Sequence, residues 1–252
     1  MKREALKAIW KNEEAYVFRG WNFSHLDGRT EEEEIRWDYR KIVTHHLKPT
    51  DRLLDMGTGG GEFLLTLNHP HQLTTVTESY LPNVTICEEK LKPLGITVKY
   101  VEDDCNLPLV DNAFDIIINR HESFELREVY RTLKSGGLFI TQQVGRLNNF
   151  EFSKQLLQAE NKKPKFEHHL ENEIKEAQQL GFEILSSDEQ FPYLRFMDIG
   201  ALVYFAKIIE WEFEDFSVDR CFDQLIKLHH EIEHKGYVES TEHRYLLVVQ
   251  KK

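Results

Sequence analysis

Residues 55–62 read Asp-Met-Gly-Thr-Gly-Gly-Gly-Glu. They follow the apolar pair Leu53-Leu54 and precede Phe63. Such a stretch reads as a strand running through a glycine turn into a helix. Glycines let a backbone approach a ligand closely and take torsions barred to other residues. A dinucleotide fingerprint, G-x-G-x-x-G, needs a third glycine at position 62, where Glu62 stands. The pattern is instead acidic-x-Gly-x-Gly-x-Gly, and a nicotinamide dinucleotide is disfavoured. Asp55, at the end of the strand, is suited to receive an ammonium group directly or through water. Glu78 lies about twenty residues beyond the turn, where a strand-end carboxylate can accept both hydroxyls of a ribose. A third acidic position, Asp103-Asp104, follows the next apolar run and can accept from the exocyclic amine of an adenine. Either aspartate suits that role, the other then being a solvated loop acid.

Two histidine motifs carry further chemistry. An imidazole's unperturbed pKa lies near neutrality, so His121, in Asn119-Arg120-His121-Glu122, can act as a base, or simply cap or pack at a helix start. His230-Glu231-Ile232-Glu233-His234 fits the zinc-hydrolase pattern HExxH. Its two histidines share a helix face, and Glu231 could act on a bound water. That site wants a third ligand, and Glu239, Glu242 and His243 lie too near the final strand. With 12 histidines and 43 acids the pattern arises easily. The expectation is a solvated amphipathic helix and no metal.

The elements that must position these residues alternate. Strands are expected at Arg52–Met56, Leu73–Glu78, Ile96–Val101, Phe114–Asn119 and Leu138–Val144. Pro82 opens one intervening helix. Leu126, Val129, Tyr130 and Leu133 stripe another, expected to run to Gly136-Gly137. Alternation of this kind gives an α/β fold, a parallel sheet with helices on both faces. Upstream, residues 1–47 are expected to be helical. Leu6, Ile9, Trp10 and Val17 suit one helix face. Thr30-Glu31-Glu32-Glu33 matches a capping box for a second helix striped by Ile35, Tyr39, Ile42 and Val43. Downstream, a helix striped by Leu170, Ile174, Ala177 and Leu180 ends at Gly181, followed by strands at Phe182–Ser186 and Arg244–Val249. The roughly 55 residues between those strands exceed a loop. They contain helical segments near 196–210 and 218–235.

The segments around Gly57, Glu78 and Asp103 together resemble the class I S-adenosylmethionine-dependent methyltransferases, in particular the small methyltransferase-domain group, over about residues 35–145. The resemblance implies a Rossmann-like, seven-stranded, mostly parallel sheet whose last strand is antiparallel. It implies S-adenosylmethionine as cofactor. Asp55, Gly57, Gly59 and Gly61 would then line its methionine side, Glu78 its ribose, Asp103 and Asp104 its adenine, and Asn119-Arg120 its sulfonium. The organisation expected is a helical cap over 1–47 and a methyltransferase domain over 48–252, with a helical insertion at about 190–240. Members that methylate amide or nucleobase nitrogens often carry (Asp/Asn)-Pro-Pro-(Tyr/Phe) after the fourth strand. Asn119-Arg120-His121-Glu122 lacks it.

Composition bounds the acceptor. The net charge is −11, and a protein that grips nucleic acid usually shows a basic field. A small-molecule acceptor is expected and nucleic acid disfavoured. Apolar runs stay short of the ~18 residues that span a bilayer, and an N-terminal signal core is missing, so a cytoplasmic protein is expected. Cys87, Cys105 and Cys221 are far apart and should be reduced thiols. The aromatics Trp10, Tyr16, Trp21, Phe23 and Trp37, with the 190–240 insertion, are candidates for the acceptor site. The competing functions are a non-catalytic S-adenosylmethionine-binding protein and, more weakly, the zinc hydrolase.

Overall fold

The computed structural model describes residues 2–18, 23–160, 163–164 and 169–252. In chain order its elements are α1 (Arg3–Glu14), β1 (Thr30–Glu32), α2 (Tyr39–His46), β2 (Leu53–Met56), α3 (Glu62–Leu65), β3 (Thr74–Glu78), α4 (Leu81–Lys90), β4 (Thr97–Tyr100), β5 (Phe114–Arg120), α5 (Leu126–Thr132), β6 (Leu133–Val144), α6 (Phe150–Leu157), α7 (Leu170–Leu180), β7 (Phe182–Gln190), β8 (Tyr193–Phe196), α8 (Ile199–Ile208), α9 (Val218–Lys235), β9 (Val238–Thr241) and β10 (Arg244–Lys251). They form two compact units. One comprises Met1–Ile35, Gly145–Glu167 and Gln190–Arg244, the other Arg36–Val144, His168–Glu189 and Tyr245–Lys252. Residues 36–47 therefore fold with the sheet unit rather than with the N-terminal segment, and residues 145–167 join the unit that contains the 190–240 insertion.

The larger unit holds a seven-stranded sheet in the order β4-β3-β2-β5-β6-β10-β7. It is mostly parallel, with the last strand antiparallel, a Rossmann-like α/β arrangement. Strands buried on both faces read as near-continuous apolar runs, and Leu53-Leu54 and Ile116-Ile117-Ile118 are at most 1% exposed. A core of Leu54, Phe114, Ile117, Val129, Phe139, Ala177 and Tyr245 packs on the sheet. The chain order reverses between β2 and β5, where ligands of open α/β sheets sit beyond the strands' carboxyl ends.

Two local expectations fail here. Thr30-Glu31-Glu32 is not a helix start. It is strand β1, paired antiparallel with Phe196, Arg195 and Leu194. The register sets Glu31 opposite Arg195 and Arg195 opposite Glu239, and both acids pair with that guanidinium. Opposite charges across strands stabilise that pairing over the local capping box. The helix begins only at Tyr39, capped by Asp38, whose side chain accepts from the Lys41 N–H. The second failure is at α5, which ends at Thr132, before Gly136-Gly137. Leu133 is taken into β6 by pairing with Phe114, and the register shifts before Ile116. Gly136, at φ +79°, lies within this irregular start of the strand.

The smaller unit combines the antiparallel sheet β1-β8-β9 with α1, α6, α8 and α9. Leu6, Trp10, Phe196, Leu202, Phe213 and Leu225 form its core. Asp198 and Ser217 cap α8 and α9. Among the described residues no helix is long and apolar enough to cross a membrane. The three cysteines are free thiols.

Candidate functional site

The glycine turn links β2 to α3. Gly57 N and Thr58 N both donate to Thr77 O of β3, at 3.1 and 3.2 Å. Gly59 has φ +62°, and a Cβ there would meet open space, so its glycine is required by backbone torsion. Gly57, at φ +65°, faces Glu122, and a Cβ would lie 2.4 Å from Glu122 Cβ and Cγ. Close approach as well as torsion requires glycine there. The turn's carbonyls are held from α4: Cys87 Sγ donates to Gly59 O and Lys90 Nζ to Gly60 O.

Four acids lie at or just beyond the ends of β2, β3 and β4. Asp55 is buried and accepts from Thr58 Oγ1 at 2.7 Å. Burial pushes its carboxyl up to about 7, against the Thr58 hydrogen bond and the charge of Arg120. Glu78, also buried, accepts from Gly59 N at 2.9 Å and from Ser79 N and Tyr80 N at 3.0 Å. It therefore braces the turn against the end of β3, whatever else it binds. Asp103 is exposed and caps its own turn, accepting from Cys105 N at 2.8 Å. Asp104 is half-buried and accepts from Ser123 Oγ. Of the two, Asp104 is turned toward the stretch that follows β5.

That stretch supplies the remaining groups. Asn119, level with Met56 of β2, is fully buried. Its Oδ1 accepts from Thr141 Oγ1 and Gln143 Nε2, while its Nδ2 lacks a partner among the described residues. Tyr39 of α2 donates its hydroxyl to Asn119 O at 2.9 Å. Arg120 lays its guanidinium over Phe63 at 4.6 Å. His121 adopts φ +67°, a torsion uncommon outside glycine, and its N–H donates to Gln142 O. Its Nε2 lies 3.2 Å from Gln142 Nε2, and Gln142 Oε1 accepts from Trp37 Nε1 at 2.8 Å. Glu122 accepts from Ser79 Oγ at 3.3 Å. Burial, with Glu78 and Asp104 nearby, pushes its carboxyl up to about 7.

Asp55, Gly57, Gly59, Gly61, Glu78, Asp104, Asn119, Arg120 and His121 thus line one edge of the sheet, and Asp103 faces solvent beside them. Sequence reasoning assigned no role to Glu122 or Gln142, and gave Trp37 only as a candidate for the acceptor site; its indole instead donates to Gln142 Oε1. The signal present for Gln142-Gln143 was a polar pair inside an apolar strand. Trp10, Tyr16, Phe23 and His230 belong to the smaller unit. Trp10 is core in the smaller unit, against Phe222 and His229. Tyr16 stacks on His25, and Phe23 packs on Phe18. Trp21 falls outside the described residues. His230 is exposed on α9, with Nδ1 3.0 Å from Glu233 Oε2.

The edge suits S-adenosylmethionine on two structural counts. Open space lies beside Gly59, and a buried amide donor at Asn119 awaits an acceptor. A cofactor with two cationic groups and a carboxylate also matches buried acids beside that donor. Residues 54–141 match the family model described as a methyltransferase domain. The chain is 29% identical over 117 residues to a demethylmenaquinone methyltransferase of Thermus thermophilus, covering 42% of this chain. The match spans about half of that relative's length, 53%. Among solved structures, the YcgJ protein of Bacillus subtilis aligns with TM-score 0.57 at 16% identity, over 85% of this chain and 98% of that one. A phosphoethanolamine N-methyltransferase of Haemonchus contortus, solved with phosphomonomethylethanolamine and S-adenosylhomocysteine, aligns with TM-score 0.51 at 16% identity, over 84% of this chain and 52% of that one. At these identities the structural likeness speaks for the fold.

Proposed function

We propose that this chain, a member of the class I S-adenosylmethionine-dependent methyltransferases, transfers a methyl group to a small-molecule acceptor at the β2–β5 edge. The observation that carries the reading is the glycine turn at the sheet's switch point, braced by Glu78 through the Gly59 N–H. When bound, S-adenosylmethionine supplies an electrophilic methyl on a sulfonium. Asp55 and the backbone of Gly57, Gly59 and Gly61 would hold its amino-acid end, and Glu78 its ribose. Asp104, rather than the turn-capping Asp103, would face its adenine. Asn119 and Arg120 flank the position of transfer, and the Asn119 Nδ2 donor would meet an acceptor atom there. Placing two reactants in line is itself a large share of such catalysis, so an acceptor that is already nucleophilic needs no dedicated base. The charge of −11 favours a small acceptor over nucleic acid.

Thermal melts with S-adenosylmethionine and S-adenosylhomocysteine test the cofactor. A ligand at about 100 times its Kd adds about 2.7 kcal/mol of stability. No rise in Tm with either at millimolar concentration would sink the proposal. Glu78→Gln should weaken S-adenosylhomocysteine at least about tenfold, roughly 1.4 kcal/mol. A screen of small-metabolite fractions for labelled methyl transfer then reads the acceptor class. Binding with no transfer to any fraction would favour a non-catalytic binder.

A further inference from the structure

The position of one proton at this site follows from three side chains far apart in sequence. Trp37 and Gln142 are both buried, at 8% and 7% exposure, so their polar groups are committed to each other. An indole N–H donates and cannot accept. Trp37 Nε1 lies 2.8 Å from Gln142 Oε1, which sets the amide with its oxygen toward the indole. The opposite amide orientation would face two donors at each other. Gln142 therefore presents its NH₂ to His121 Nε2, 3.2 Å away. An amide NH₂ has no lone pair to offer, so His121 Nε2 must be the acceptor and unprotonated. The backbone reinforces the pairing. Arg120 lies opposite Gln142 between β5 and β6, and the His121 N–H donates to Gln142 O at 2.9 Å.

We infer that Trp37 and Gln142 are positioning residues that hold His121 as the neutral Nδ1–H tautomer, with its Nε2 lone pair engaged by Gln142. The functional part of this rests on the reading of the β2–β5 edge as the methyl-transfer site. His121 then stands beside that site as a neutral imidazole whose proton is on Nδ1. It becomes a proton acceptor through Nε2 only when the Gln142 hydrogen bond breaks. This sharpens the sequence expectation of a base at His121: the resting arrangement protects its accepting nitrogen rather than exposing it.

The test is ¹⁵N NMR of histidine-labelled full-length protein at pH 8, without cofactor. The His121 signals among the 12 histidines are assigned by their loss in His121→Asn. The wild type should show a protonated Nδ1 and an unprotonated, hydrogen-bonded Nε2. In Gln142→Glu the new carboxylate accepts from both neighbours, and the pattern should invert to Nε2–H or become the doubly protonated ring. In Trp37→Phe the amide is released, and the signals should move toward a mixture of tautomers. A wild-type Nε2–H ring overturns the inference, as does a Gln142→Glu spectrum identical to wild type. Trp37→Phe disturbs a buried site, so Gln142→Glu decides if the former fails to fold. Cofactor-induced Tm shifts on the same samples separate the two questions. A correct tautomer with no ligand response removes the functional reading and leaves the proton assignment standing. A ligand response with the wrong tautomer does the reverse.

Discussion

In the smaller unit Arg29 stands between Glu13 and Asp198, and Arg195 between Glu31 and Glu239. At the β2–β5 edge of the larger unit, Asp55 and Glu122 take their side-chain hydrogen bonds from the hydroxyls of Thr58 and Ser79. The electrostatic outcome differs accordingly. Burial alone would raise Asp198, but the Arg29 guanidinium and the Ala201 N–H outweigh it and hold the carboxyl below its usual range. For Asp55 and Glu122 burial wins, and both carboxyls rise to about 7. Glu242 of the smaller unit departs from this pattern, since burial also lifts it to about 7 despite Arg244. Acids paired with fixed cations hold a fold together. Acids buried beside hydroxyls, with no cation near enough to offset burial, cost stability, and under the proposed function a cationic ligand would offset that cost.

The comparison can be broken at three points. The largest effect is expected from Arg29→Ala. It leaves Glu13 and Asp198 without their guanidinium and should cost about 1.5–3 kcal/mol, the worth of charged hydrogen bonds. For a chain of this size that lowers Tm by about 4–10 °C. A melt displaced by less than about 1 °C would mean those pairs do not brace the unit.

Glu122→Gln should act in the opposite direction. A carboxyl with a raised folded pKa binds its proton more tightly in the folded state. Its contribution is therefore most favourable at low pH and is lost as pH rises from the unfolded range through about 7. The glutamine variant avoids that loss. It should be more stable than wild type by on the order of 1–2 kcal/mol at pH 8, and no more stable at pH 4. Urea midpoints at both pH values measure it. A variant less stable than wild type at pH 8 would place Glu122 among the bracing acids instead.

The smallest effects separate two neighbours. Asp104→Ala should weaken S-adenosylhomocysteine about threefold to tenfold in calorimetry, roughly 0.6–1.4 kcal/mol. Asp103→Ala should leave the affinity unchanged and cost only its local turn bond to Cys105 N, about 0.5–1.5 kcal/mol of stability. The reverse ranking would hand the adenine to Asp103.

Several residues of the candidate site can be picked out from the sequence. Gly57, Gly59 and Gly61 announce themselves because their torsional demand is local, and Glu78 because strand ends can be counted from apolar runs. The acid pair could be found but not resolved, since one aspartate's role depends on Ser123, nineteen residues on. Glu122 carried no sequence signal. Its importance comes from contact with the Gly57 backbone and from neighbours in other segments.

The same division holds for the whole chain. By itself the sequence determined the alternation of strands and helices, the glycine turn, and the exclusion of a dinucleotide fingerprint by Glu62. Those properties depend on torsions and periodicity within a few residues. Only the tertiary structure decided that Thr30–Glu32 is a strand, because Arg195 waits 164 residues away. Only the tertiary structure joined Trp37 to Gln142 across 105 residues, and so located the proton on His121. A hydrogen bond's direction is set by what each partner can donate. Sequence lists those capacities, and folding decides which of them meet.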